Sequence, residues 1–224
     1  EEGRIVNDDE IKEYIVSKRP YEDWINKNIL QLSDVPYTGN RTPDEKLSIE
    51  TRLKIFGYTK EDFRKIIIPM CQTGKEAIGS MGTDTPLAVL SKKPQLIYNY
   101  FKQLFAQVTN PPLDGIREEI ITDTSLSLGR NHNLFEIVEE HSVNLTIKNP
   151  IISNEDLDKI KYINHKNFKA SSIKCLYEFK KGHNGIEEAL DKIVLKIEKC
   201  IDQGSNIIIL SDRLVSKKMA PIPI

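Results

Sequence analysis

Between residues 42 and 69, and again between 94 and 107, the apolar positions recur at intervals of three and four, the spacing of a single helix face. Thr42-Pro43-Asp44-Glu45 offers an N-cap, a proline suited to the first helical position and an acidic partner three residues after the cap. A helix is predicted from there, with Ile49, Leu53 and Phe56 inward and Gly57 stopping it. Thr59, with Asp62 three residues on, caps a second helix that carries Phe63, Ile66 and Ile67 and ends at Pro69. Residues 94–107 repeat the pattern through Leu96, Ile97, Tyr100, Phe101, Leu104 and Phe105, and Asn110-Pro111-Pro112 closes that segment abruptly. A further helical turn at 115–121 and an extended stretch at 125–128 follow.

The period then changes. Residues 143–147 alternate apolar and polar as a strand does, 153–163 read as a capped helix, and 173–179 as extended chain. Residues 186–202 form a long amphipathic helix, and the run Ile207-Ile208-Ile209-Leu210 predicts a strand buried on both faces. Strands alternating with helices predict an α/β fold, a parallel sheet with crossover helices. At the other end, Asp8 or Asp9 caps a short helix to about residue 17, with Ile11, Ile15 and Val16 on one face. Pro20-Tyr21 and Trp24-Ile25 form an apolar plug, and residues 33–41 a linker. The organisation is therefore a connecting segment, 1–41, and an α/β domain, 42–224.

Composition narrows the functional classes. With 32 basic and 33 acidic residues the net charge is −1, and no basic stripe marks a nucleic-acid partner. No apolar run approaches the roughly 20 residues of a membrane span, and the first residues form no signal peptide. Cys71, Cys175 and Cys200 are odd in number and scattered, as in a reducing cytoplasmic compartment. The chain opens on Glu1-Glu2-Gly3-Arg4 and closes on Ala220-Pro221-Ile222-Pro223-Ile224, which predicts a piece of a longer polypeptide.

Chemistry concentrates in one tract, from Gln72-Thr73-Gly74-Lys75 to Thr85-Pro86. Its glycines and hydroxyls are suited to an anion cradle or to a structural loop. It is not a phosphate-binding P-loop, because Pro69 stands where the leading glycine belongs and Glu76 follows the lysine. His132, His141, His165 and His183 fall in separate segments without metal-ligand spacing. Asp212 and Arg213 follow the buried strand, where α/β proteins place ligands, although an Asp–Arg pair fixing the strand end accounts for them as well. Trp24 reads as a packing anchor, and Cys71 lacks a nearby base.

Longer strings carry more information. Gln72-Thr73-Gly74-Lys75-Glu76, Gly79-Ser80-Met81-Gly82 with Asp84-Thr85-Pro86-Leu87-Ala88, the run from Tyr100 to Pro112 and Ile116-Arg117-Glu118-Glu119 together resemble the central domain of the large glutamate synthase polypeptide. Gly3-Arg4-Ile5-Val6, Pro20-Tyr21, Phe56-Gly57-Tyr58-Thr59, Leu210-Ser211-Asp212-Arg213 and Ala220-Pro221-Ile222-Pro223 extend the likeness nearly end to end. It departs at Cys71, where a small apolar residue is usual, and at Arg130-Asn131-His132, in place of a proline-containing turn.

The resemblance implies an incomplete TIM-barrel-like domain related to the family's FMN domain, cut short at its C-terminal end. Members release ammonia from glutamine in a glutaminase domain. They pass it to a second domain holding FMN and an iron–sulfur cluster, where 2-oxoglutarate becomes glutamate. The central domain bridges the two and helps wall the ammonia tunnel, binding no cofactor itself. No catalytic, cofactor-binding or metal-binding residue is therefore expected, and the chain alone is predicted inactive. Tunnel or interface residues are expected at Gly79, Ser80, Met81, Gly82, Thr83, Asp84 and Thr85, and at Asn110, Pro111 and Pro112. The implied partners are the adjacent glutaminase and FMN-barrel domains, in the cytoplasm or, in a photosynthetic eukaryote, the plastid. The alternative is a free-standing barrel-like enzyme binding phosphate or flavin.

Overall fold

The computed structural model describes residues 3–39, 47–75, 88–92, 97–101 and 123–222, with residues 77 and 121. The chain divides into two compact units, Glu1–Pro43 with Thr124–Ile222, and Asp44–Asp123 with Pro223–Ile224.

The first unit opens with α1 (Asp8–Val16). Its cap is Asn7, not Asp8 or Asp9: Asn7 has extended backbone and its side chain accepts from the Asp9 N–H at 3.3 Å. Both aspartates are already helical, where their charge favours the positive helix end. In α2 (Tyr21–Asn28) Tyr21 and Trp24 meet edge to face, centroids 5.5 Å apart. Strand β1 (Ile29–Gln31) leads into a 3-10 turn, Leu32–Asp34. Leu32 and Val35 lie in the core, so the segment expected to be a linker from residue 33 begins as core-forming chain.

The second unit begins its described part with α3 (Ile49–Ile55). The expected helix start at Thr42 lies outside the described residues, and no helix runs unbroken from it: Ser48 is extended, and its Oγ accepts from the Thr51 N–H. Gly57, at φ 74°, ends α3 as predicted; the Gly57 N–H bonds Lys54 and the Tyr58 N–H bonds Leu53. Thr59 and Asp62 form the predicted capping box of α4 (Lys60–Asp62). Pro69 does not end this path. A π-helical stretch, Phe63–Ile67, lets the chain continue into α5 (Ile68–Thr73). The wider turn bonds the Ile68 N–H to Phe63, and Pro69, having no N–H, sits in the first turn of α5 where none is needed. Of the helix expected at 94–107, residues 97–101 are described, and Ile97–Tyr100 form a 3-10 turn.

The chain re-enters the first unit through β2 (Leu126–Leu128) and β3 (Asn144–Ile147). Strand β3 is central in a three-stranded sheet, parallel to β1 and antiparallel to β2. Helix α6 (Asn154–Lys161), capped by Ser153, follows. Strands β4 (Ala170–Lys174) and β5 (Leu176–Glu178) are separated by Cys175 alone. Helix α7 (Gly182–Asp202) packs against both, and β6 (Ile207–Ser211) and β7 (Met219–Pro221) complete the unit. Strand β6 runs parallel to β4, and β7 antiparallel to β5. The fold is mixed α/β with small sheets.

Leu145, Ile147, Ile160, Phe168 and Ile207 form the core with Leu32 and Val35, and Leu145 has no exposed surface. The expectation for β6 needs correction: Ile207 is buried, but Leu210 is 44% exposed. Ile208 and Ile209 are half-buried, so β6 is not covered on both faces along its length as its apolar run predicted.

Candidate functional site

The residues expected to serve a tunnel or interface, 79–85 and 110–112, lie outside the described residues. The first part of their glycine-rich tract is described. Gly74, at φ 64°, closes α5, and its N–H donates to the Met70 carbonyl at 2.9 Å. The Lys75 N–H donates to Thr73 Oγ1 at 3.2 Å, and that hydroxyl donates to the Pro69 carbonyl at 2.8 Å. These amides are committed to finishing a helix, whose C-terminal end repels anions. Gln72 to Lys75 therefore contribute no phosphate cradle.

The second candidate, at the carboxyl end of β6, is a clasp. Arg213 does not pair with Asp212: its guanidinium donates to Asn154 Oδ1 at 2.7 Å, at the start of α6. Its own N–H donates to Ser211 Oγ at 3.3 Å. Beside it, the Cys175 N–H donates to the Ser211 carbonyl at 2.8 Å, and the Cys175 carbonyl accepts from the Ile222 N–H at 3.0 Å. One residue thus ties the end of β4 to β6 and the start of β5 to the chain leaving β7. Burial pushes the Cys175 thiol up from its ordinary pKa, with the Asp212 charge adding in the same direction against the bond to Ser211. A buried neutral thiol is no nucleophile.

The structure brings together His132 and His141, which sequence spacing separated. Their rings meet edge to face at 5.7 Å, and His141 Nε2 lies 3.1 Å from the Asn133 carbonyl. No group of three or more potential metal ligands forms among the described residues. His165 lies against Phe168 with centroids 5.3 Å apart, and His183 is 3.9 Å from Glu187 on the exposed side of α7. Cys71 is exposed, and all three cysteines are free thiols.

Sequence reasoning missed a cleft of about 260 Å³ between α7 and β5. Leu176, Tyr177, Ala189 and Ile193 supply its apolar lining, and Lys174, Lys181, Lys192 and Lys196 its cations. Lys192 and Lys196 recur on one face of α7 with Gly185, Glu188 and Ala189, a helical spacing legible in the sequence, and Lys181 stands just before the helix. The approach is close because Gly185 lacks a side chain: a Cβ there would sit 2.7 Å from Lys181 Cβ and 3.0 Å from the Glu178 carbonyl. Glu188 accepts from Lys181 at 2.7 Å and lies 3.6 Å from Lys192, and its carboxyl is held below the usual range chiefly by the Lys181 bond.

Among the described residues no helix is long and apolar enough to cross a membrane. The strings Phe56-Gly57-Tyr58-Thr59 and Leu210 to Arg213 do structural work here, as a helix stop with a following cap and as a strand-end clasp. Comparison with known proteins agrees with the likeness those strings carry. The family model described as the glutamate synthase central domain matches residues 51–224. The large chain of the NADPH glutamate synthase of Bacillus subtilis is 40% identical over 223 residues, covering all of this chain and 14% of that protein. The NADH glutamate synthase of Schizosaccharomyces pombe is 34% identical over 232 residues, 99% of this chain and 11% of its own length. The chloroplastic ferredoxin-dependent enzyme of Spinacia oleracea is 32% identical over 220 residues, 98% of this chain and 13% of its own. The chain thus spans between about a tenth and a seventh of these relatives, and it belongs to the glutamate synthase central-domain family.

Proposed function

We propose that this chain is a non-catalytic bridging domain of a glutamate synthase, in which glutamine, 2-oxoglutarate and a reductant yield two glutamates. The observation that carries this reading is the end-to-end likeness to a stretch that makes up only 14% of the B. subtilis large chain. In this reading the chain joins a glutaminase domain to an FMN synthase domain, which also holds the iron–sulfur cluster. It works where the parent enzyme works, in the cytoplasm or a plastid. The parallel pairing of β4 and β6, with α7 between them in the chain, supports an incomplete barrel related to the FMN domain.

Residues 79–85 and 110–112 are proposed to line the ammonia path or face the neighbouring domains. Their chemistry supports the assignment: small and hydroxyl side chains bound a narrow polar passage, and uncharged ammonia needs no ionic ligand.

The test is stoichiometric. In the native polypeptide, Thr83→Trp or Thr85→Trp should raise the glutamine hydrolysed per reductant consumed, because ammonia escapes. Unchanged coupling in both variants would overturn the tunnel assignment. A saturable rise in Tm with FMN on the 224-residue chain would instead favour a free-standing flavin-binding enzyme.

A further inference from the structure

We infer that the cleft between α7 and β5 receives an acidic segment of the same polypeptide from outside these 224 residues. The inference rests on the bridging reading above. Four lysines and two glutamates line the cleft, an excess of two positive charges. The two carboxylates are already engaged. Glu188 holds Lys181 at 2.7 Å and Lys192 at 3.6 Å, and Glu178 lies 3.9 Å from Lys181. Lys174 and Lys196 have no ion-pair partner among the described residues, so the uncompensated charge sits on them.

Charge and lining indicate the kind of occupant. At about 260 Å³ the cleft lies at the small end of the roughly 300–1,000 Å³ typical of small-molecule and cofactor sites. One or two side chains of a protein segment are the right scale. Leu176, Tyr177, Ala189 and Ile193 would take the apolar part of such a segment, and the free ammonium groups its carboxylates. A covering segment would also lower the local dielectric, so that a lysine–carboxylate pair there is worth more than on an open surface. The B. subtilis relative carries six-sevenths of its length outside the matched stretch, ample chain to supply the segment.

Zero-length carbodiimide crosslinking of the native polypeptide, read by peptide mass spectrometry, tests this. Lys174 or Lys196 should be joined to an Asp or Glu outside residues 1–224. The yield should fall several-fold between 0.1 and 1 M NaCl, as the screening length shrinks from about 10 to about 3 Å. Lys174→Gln with Lys196→Gln should abolish those crosslinks and leave the far-UV circular dichroism unchanged. Crosslinks confined to acids within this chain, or outside crosslinks insensitive to salt, overturn the proposal. So does a saturable Tm increase with inorganic phosphate that needs both lysines, because it marks a small-anion site. Outside crosslinks combined with unchanged ammonia coupling in the Thr83 and Thr85 variants would leave the docking surface standing and remove only the tunnel assignment.

Discussion

Arg213 reaches from the end of β6 to the first residue of α6, its guanidinium donating to Asn154 Oδ1 at 2.7 Å. The bond joins segments 59 residues apart and fixes where α6 starts relative to the β4/β6 pair. A double-mutant cycle with Arg213→Ala and Asn154→Ala, followed by urea unfolding, should return a coupling of about 0.5–1.5 kcal/mol. Arg213→Lys should keep only part of it, since a lysine lacks the planar fork. Additive effects would show that the contact does not hold in solution.

Gly129 is required by its surroundings. A Cβ there would lie 2.5 Å from the Val143 carbonyl and 2.6 Å from Asn144 Oδ1, at the entry to the central strand β3. Backbone cannot yield as a side-chain tip can, and Asn144 is itself held by donating to the His141 carbonyl at 2.7 Å. Gly129→Ala should therefore destabilise the chain by about 1–3 kcal/mol. Gly74→Ala, where a Cβ would meet nothing but φ is 64°, should cost about 1 kcal/mol. Denaturation midpoints that rank the two in the opposite order would refute the packing argument.

These positions also show what the sequence could and could not convey. The capping box at Thr59 and the stop at Gly57 were legible, because they depend on residues within a few positions of each other. The π-helical turn before Pro69 was not, since its wider hydrogen bond keeps the path helical where proline rules predict an end. Pairings between distant segments stayed hidden: Arg213 with Asn154, His132 with His141, and Lys27 with Glu139 have no local signal. Nor does an apolar run say how many layers cover it, so Ile207 to Leu210 read as doubly buried although Leu210 is 44% exposed. The tunnel residues were inferred from likeness, and 79–85 and 110–112 lie outside the described residues.

Stability should fall on the acid side. Glu139 is held below the ordinary carboxylate range first by its bond to Lys27, then by Asn28, and Asp156 chiefly by the Ser153 hydroxyl. A carboxyl depressed in the folded state contributes stability that is present above its unfolded value, about 3.9–4.3, and lost as pH falls through its folded value. Tm should stay flat from about pH 8 to 6 and drop below about pH 4. Glu139→Gln should shrink that drop and Glu139→Asp keep most of it. An identical acid limb in wild type and Glu139→Gln would discard the Lys27–Glu139 contribution.

Thiol reactivity reports on the clasp at Cys175. Cys71 is exposed, whereas Cys175 retains 2% of its surface and its thiol is pushed up chiefly by burial. A raised thiol stays protonated at neutral pH, and the stability linked to it is fully present below the ordinary thiol value and lost as pH climbs from there through the raised one. Iodoacetamide at pH 8 should therefore label Cys71 readily and Cys175 at least about 100-fold more slowly, through opening of the structure. Cys175 supplies both the N–H bonded to Ser211 and the carbonyl bonded to the Ile222 N–H, so its labelling should track separation of β4 from β6. Mild urea below the unfolding midpoint should accelerate Cys175 and leave Cys71 unchanged. Arg213→Ala, by loosening the same strand end, should accelerate Cys175 as well. Equal labelling rates at the two cysteines in native buffer would mean that β4 and β6 are not joined as described.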